Sequence, residues 1–164
     1  MEETPKKQIF QVVCVVSNLD ETLGNWRRLV DFNETSIKMV GDREQVRCLY
    51  HGQQIHCPIR AVRFDLGGID MKLVEPLNKA GGDPYSDSLL AHGQGFHHLG
   101  IYVENQPALL EQYQQAGRTP VYEEFSQDGH YQMFDFTEEL GFCMTPWDHM
   151  IGPCAPRDPL GATI

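Results

Sequence analysis

The sequence predicts an α+β fold made of two βαβββ modules in one chain. Two internal matches predict it: an apolar strand followed by Asn and a helical segment occurs twice, and a second pair of similar strands closes each half. Turn signals between these landmarks leave room for the remaining strands.

The first repeated strand runs from Ile9 to Val16 and the second from Phe96 to Val103. Both are rich in β-branched residues, as strands are. Gln11 of the first copy aligns with His98 of the second. Asn18 and Asn105 follow, each leading into a segment with helical spacing. The first helix is built around Leu23, Trp26 and Leu29 or Val30; the second has Pro107 early, Leu110, Tyr113 and Ala116 as its buried stripe, and Gly117 as its stop. The closing strands match as Gly68-Ile69-Asp70-Met71-Lys72-Leu73 and Gly141-Phe142-Cys143-Met144-Thr145-Pro146, which aligns Lys72 with Thr145. Turns are marked by Gly52, Gly67-Gly68, Asp128-Gly129 and Glu139 to Gly141. The resulting organisation is a first module over 9–77, a linker over 78–95 with about one helical turn, a second module over 96–147, and an irregular tail over 148–164.

Strand parity sorts the side chains, because alternate residues of a strand face opposite sides of the sheet. Phe64, Leu66, Ile69, Met71 and Leu73 in the first half, and Phe134, Phe136, Phe142 and Met144 in the second, face the helices. The opposite, concave face carries Gln11, Arg63, Asp65, Asp70, Lys72, His98, Tyr102, Asp135 and Thr145. That set is too polar for a second core and predicts a wet pocket. His97, one residue from His98, is assigned to the other face or the sheet margin.

Composition narrows the partners. The 164 residues, 41% hydrophobic and 22% charged, suffice for one well-cored domain or two small fused units. A net charge of -10 argues against nucleic acid and against anionic membranes, leaving a small molecule or another protein. The five cysteines, an odd number with no C-x-x-C pair, indicate neither a disulfide framework nor a thiolate zinc site. The opening MEETPKKQIF has no signal-peptide core and no run is long enough to span a bilayer, so the expectation is a soluble cytoplasmic protein.

The paired modules, the GFHHLGIYV strand opening the second and IDMKLVEPL closing the first resemble the vicinal oxygen chelate superfamily. Within it, the likeness is to the small glyoxalase and methylmalonyl-CoA epimerase-like proteins. It extends over about Ile9 to Trp147. It implies the glyoxalase/bleomycin resistance-like fold, a U-shaped, partly closed mixed sheet around a cleft, and a homodimer. It also implies a divalent metal that stabilises an enolate or related oxyanion. The metal-ligand positions fall on Gln11, where His is frequent; Lys72, where Glu or Gln is usual; His98, which matches; and Thr145, where Glu is usual. With both carboxylates replaced and an ammonium group among the four, no metal is favoured; were one bound, His98 would be its ligand.

The expected catalytic set is therefore Lys72, His98 and Gln11. Lys72 would meet a substrate carboxylate or an enolate oxygen, or else pair with Asp70 or Asp65. His98 would transfer a proton while Gln11 orients the ligand, or else be a hydrogen-bonded structural residue. Arg63, Asp65, Tyr102, Asp135 and Thr145 would line the binding surface for a small substrate, an anionic one among the candidates, with a carboxylate as a further base. Cys143 shares that face without any mark of an activated thiolate. Two functions follow: a metal-free isomerase, epimerase or lyase acting next to a carbonyl, or a non-catalytic protein that sequesters a small ligand on the same scaffold.

Overall fold

The computed structural model describes residues 7–40, 46–127 and 129–149; the tail from residue 150 onward and Asp128 of the expected Asp128-Gly129 turn lie outside them. The strands are β1 (Lys7–Val15), β2 (Lys38–Met39), β3 (Arg47–Tyr50), β4 (Gln53–Ile55), β5 (Ile59–Leu66), β6 (Ile69–Pro76), β7 (Gly95–Val103), β8 (Tyr122–Ser126), β9 (Gly129–Phe136) and β10 (Phe142–Trp147). The helices are α1 (Leu19–Leu29), α2 (Pro84–His92), α3 (Gln106–Gln115) and the single turn α4 (Thr137–Leu140).

All ten strands join one curled mixed sheet in the order β2-β5-β6-β1-β7-β10-β9-β8-β3-β4. Its centre displays the repeat. β1 and β7 pair antiparallel across the middle, β1 takes β6 as a parallel neighbour, and β7 takes β10 in the same way. The β3–β4 hairpin departs from a plain βαβββ order. It leaves the first half and pairs with β8, extending the far edge of the second half.

Both repeated helices begin as their sequences dictate. The Asn18 side chain accepts from the Glu21 backbone N–H, and that of Asn105 from Ala108 N–H. Gly117, at φ 72°, takes the left-handed conformation that follows a helix end. On the convex face α1 lays Leu19, Leu23 and Trp26 over Val62, Phe64, Met71 and Leu73. Leu29, 73% exposed, and the partly exposed Val30 lie outside that stripe. Tyr113 of α3 packs edge-on against Phe134 and Phe136 of β9.

The concave face holds a second apolar core, contrary to the expectation of a uniformly polar surface. The segment read as a linker forms α2, more than two turns long, because Asp83 caps it, Pro84 starts it and Gly93 ends it. α2 lies over the sheet and drives the fully buried Tyr85 among Val13, Val15, Ala61, Val74, Tyr122 and Met133. Only the remainder of the concave face is left as a polar cleft.

A close approach of β1 and β7 fixes one position in that cleft. Gln11 and Gly100 are register partners, and a Cβ on Gly100 would lie 2.9 Å from the Gln11 Cβ. We expect Gly100→Ala to destabilise the fold by about 2 kcal/mol, as overpacking of a rigid contact does. Urea denaturation checks this; an unchanged midpoint would show that the two strands can part without cost.

Candidate functional site

The polar cleft, about 110 Å³, is lined by Gln11, Arg63, Lys72, Tyr85, Glu124, Tyr131 and Trp147, among others. Its floor comes from β1, β5 and β6. Arg63 and Lys72 are cross-strand partners, and Gln11 is the partner of Asp70 on the parallel strand. Asp70 is fully buried and holds this floor together. Its Oδ2 accepts from Gln11 Nε2 at 2.8 Å, from Arg63 Nη2 at 2.7 Å and from Arg63 Nε at 3.0 Å. A two-pronged guanidinium contact plus an amide is what a buried carboxylate needs to stay charged at tolerable cost.

The opposite wall is a chain of rings. Tyr131 Oη lies 2.9 Å from His98 Nε2, His98 Nδ1 lies 2.7 Å from His97 Nδ1, and His97 Nε2 lies 3.1 Å from the Pro84 carbonyl oxygen. His98 is 1% exposed and Tyr131 stands between it and the cleft. Burial pushes the His98 pKa well below its ordinary value, and the charges of His97 and Lys72 add to the effect. Burial also lowers that of His97, against the opposing pull of the Pro84 carbonyl and Asp83.

His97 reaches His98 because β7 is irregular there. Val13 pairs with His98 while Cys14 pairs with Phe96, so His97 is the extra residue of a β-bulge. The bulge breaks the alternation that parity assumed and puts both imidazoles in contact.

The structure brings Gln11, Arg63 and Lys72 into the cleft and puts His98 directly behind Tyr131. It places the other expected residues elsewhere. Thr145 is fully buried, with its hydroxyl donating to the Leu99 carbonyl and accepting from Trp147 Nε1–H. Asp65 sits at the β5–β6 turn, where its carboxylate accepts from Gly68 N–H. Tyr102 occupies the far end of β7 beside Gln8 and Trp147, outside the lining of the cleft. Asp135 faces a different and larger cavity of about 590 Å³ between α2 and the β7, β9 and β10 strands. There it accepts from Thr137, which lowers its pKa, and neighbours Cys143, whose thiol is pushed up to about 11 by burial and then by the Asp135 charge. That thiol is not activated. Tyr131 and Glu124 were missed. Tyr131 has the same parity as Met133 and Asp135, so carrying the alternation two residues back along β9 would have placed it on the concave face.

The four positions where the fold family holds a divalent metal do not fit one here. Gln11, held through its Nε2 by Asp70, offers only a neutral amide oxygen, Thr145 bonds Leu99 and Trp147, His98 has both ring nitrogens engaged, and Lys72 contributes an ammonium group. Among the described residues no three His, Cys, Asp or Glu side chains converge as a metal-binding group.

With this fold in view, comparison places the chain. Residues 10–134 match the model of the Glyoxalase/Bleomycin resistance protein/Dioxygenase superfamily, and the chain belongs to that superfamily. Its fold is that of methylmalonyl-CoA epimerases. The enzyme from Mycobacterium tuberculosis superposes with a TM-score of 0.61 at 15% identity, over 84% of this chain and 85% of that one. A Streptomyces coelicolor methylmalonyl-CoA epimerase variant in complex with 2-nitronate-propionyl-CoA gives 0.60 at 15% identity, over 85% and 94%. No curated protein sequence matches the chain. No helix among the described residues is long and apolar enough to cross a membrane.

The buried imidazoles make stability depend on pH with a defined sign. Both have folded pKa values below the ordinary histidine value of about 6.5, so below that pH the unfolded chain binds more protons and the fold loses stability. The expected loss on acidification from pH 6.5 towards 5 is up to about 1.4 kcal/mol per pH unit for each histidine. Urea titrations at pH 7.5, 6.0 and 5.0 measure it, and equal stabilities at all three would contradict the burial of two neutral rings.

Proposed function

We propose that this protein is a small-molecule isomerase or epimerase that works next to a carbonyl without a divalent metal. The observation that carries the reading is the juxtaposition, in one cleft, of Lys72 with the Tyr131 phenol and the histidine behind it, at positions of a fold whose relatives include epimerases. The Lys72 side chain lines the cleft, and its ammonium is the cation assigned to the substrate. Its role is electrophilic. A proton next to a carbonyl becomes removable when the developing enolate oxygen meets a fixed positive charge in a site sheltered from water. Gln11, held by Asp70, orients the same group. His98 takes up a proton from behind the cleft wall.

The small cleft suits the reacting end of a substrate, such as a carbonyl flanked by a carboxylate. The protein is proposed to act in the cytoplasm as a homodimer, and the described cysteines Cys14, Cys48, Cys57 and Cys143 are free thiols, in keeping with a reducing compartment. A second reading, sequestration of a small ligand without turnover, is favoured by the larger cavity beside α2, whose volume of about 590 Å³ is in the range of drug-sized sites.

Hydrogen–deuterium exchange separates the two. Methylmalonyl-CoA and its short N-acetylcysteamine thioester are incubated with the protein in heavy water, and loss of the α-proton signal is followed by NMR. Catalysed exchange is expected, with Lys72→Met slowing it about 100-fold or more, the size of effect that removing one oxyanion-stabilising group has. Exchange at the wild-type rate in Lys72→Met refutes the electrophilic role, and ligand binding without exchange favours sequestration.

A further inference from the structure

The hydrogen-bond chain behind the cleft has a direction, and it can be read from its far end. The Pro84 carbonyl can only accept, so His97 Nε2 carries the proton in their 3.1 Å contact. A neutral His97 then offers Nδ1 as an acceptor. The 2.7 Å contact between the two Nδ1 atoms requires one proton between them, which His98 Nδ1 supplies. His98, neutral in its buried position, is left with a bare Nε2, and Tyr131 Oη–H donates to it at 2.9 Å. Every proton in the chain points inward, away from the cleft. The only member that lines the cleft is Tyr131. Neither imidazole is available to a metal, since the one lone pair of each neutral ring is already used within the chain.

We propose that Tyr131 is the catalytic residue that removes the substrate proton, with His98 and His97 as positioning residues that take up the proton Tyr131 gives away. This rests on the isomerase reading above and assigns its acid–base group. In the forward step the substrate C–H bond breaks and its electron pair passes into the enolate. The substrate proton bonds to Tyr131 Oη as the phenolic proton moves to His98 Nε2, and the proton on His98 Nδ1 moves to His97 Nδ1. The products are an enolate anion facing Lys72 and an imidazolium at His97; the reverse transfers return a proton to carbon. No oxidant, reductant or further reactant is needed.

The charge is better placed on His97 than on His98. Burial disfavours charge on both rings, but Lys72 also acts against a cation at His98, whereas at His97 the Pro84 carbonyl and the Asp83 carboxylate oppose the effect of burial. Asp83 is fully buried and anchored by Tyr85 N–H, Ser86 N–H and the Ser86 hydroxyl. The β-bulge that brings His97 into line thereby carries positive charge from the ring nearest the cleft to the next ring inward.

The test combines a readout of the chain with a readout of the chemistry. In full-length protein with ¹⁵N-labelled histidine, long-range proton–nitrogen correlation spectra at pH 7.5 are expected to show His98 as the Nδ1–H tautomer and His97 as the Nε2–H tautomer. Tyr131→Phe keeps the ring, and is expected to move the His98 Nε2 resonance towards that of an unbonded nitrogen. In the methylmalonyl thioester exchange assay, the same variant is expected to lower kcat about 100-fold with KM changed less than threefold. A His98 Nε2–H tautomer overturns the direction of the chain. Correct tautomers with Tyr131→Phe exchanging within twofold of wild type overturn the catalytic role of Tyr131. A wild-type protein inert towards both thioesters refutes the isomerase reading and, with it, that role, while the tautomers still decide whether the directed chain exists.

Discussion

The buried carboxylate of Asp70 is the constraint from which the rest of the cleft follows. A charged group with no access to water must be met by donors on several sides, and here two come from Arg63 and one from Gln11. Gln11 is thereby fixed against β7, where only glycine fits opposite it at Gly100. The guanidinium of Arg63 is fixed in turn, and the strand that carries Asp70 presents Lys72 two residues on. One interaction therefore sets the geometry of β1, β5, β6 and β7 where the two modules meet.

The cleft gains its character from what closes the other side. Tyr85, carried by α2, turns half of the concave face into core and confines the polar part to a small volume. Tyr131 packs at a tilt against Trp147 and edge-on against His98, so the wall is a set of mutually packed rings rather than a row of solvated donors. In such surroundings a single ammonium group acts more strongly than it would in water, which is the physical basis of the role proposed for Lys72.

Much of this was legible in the sequence, for reasons tied to particular residues. The alternation in Phe64, Leu66, Met71 and Leu73 identified the helix-facing side because a two-residue period has only two outcomes, and the recurrence of Asn before helically spaced residues marked both repeated helices, whose first turns Asn18 and Asn105 cap. The internal match put Gln11, Lys72 and His98 on the pocket surface; the first two line the cleft, and His98 lies buried behind Tyr131. What stayed hidden depended on events that break local periodicity. A bulge at His97 is invisible to a parity argument, and it makes the difference between one pocket histidine and a linked pair. Asp65 shares the parity of Arg63 but lies where the strand turns, and its side chain is used by the turn. The α2 helix did carry its signals, Asp83, Pro84 and Gly93; its course over the concave face, which separates Asp135 from the cleft, is a tertiary matter that no local pattern encodes.

Replacement of the metal by protein groups is the central claim, and metal binding tests it most directly. Protein prepared without a histidine tag, equilibrated with zinc, cobalt or manganese and then desalted, should retain less than about 0.1 equivalent, since Gln11, Lys72, His98 and Thr145 supply no carboxylate and no free imidazole. One tightly held equivalent, lost in Gln11→Ala and in His98→Ala variants that remain folded, would contradict it.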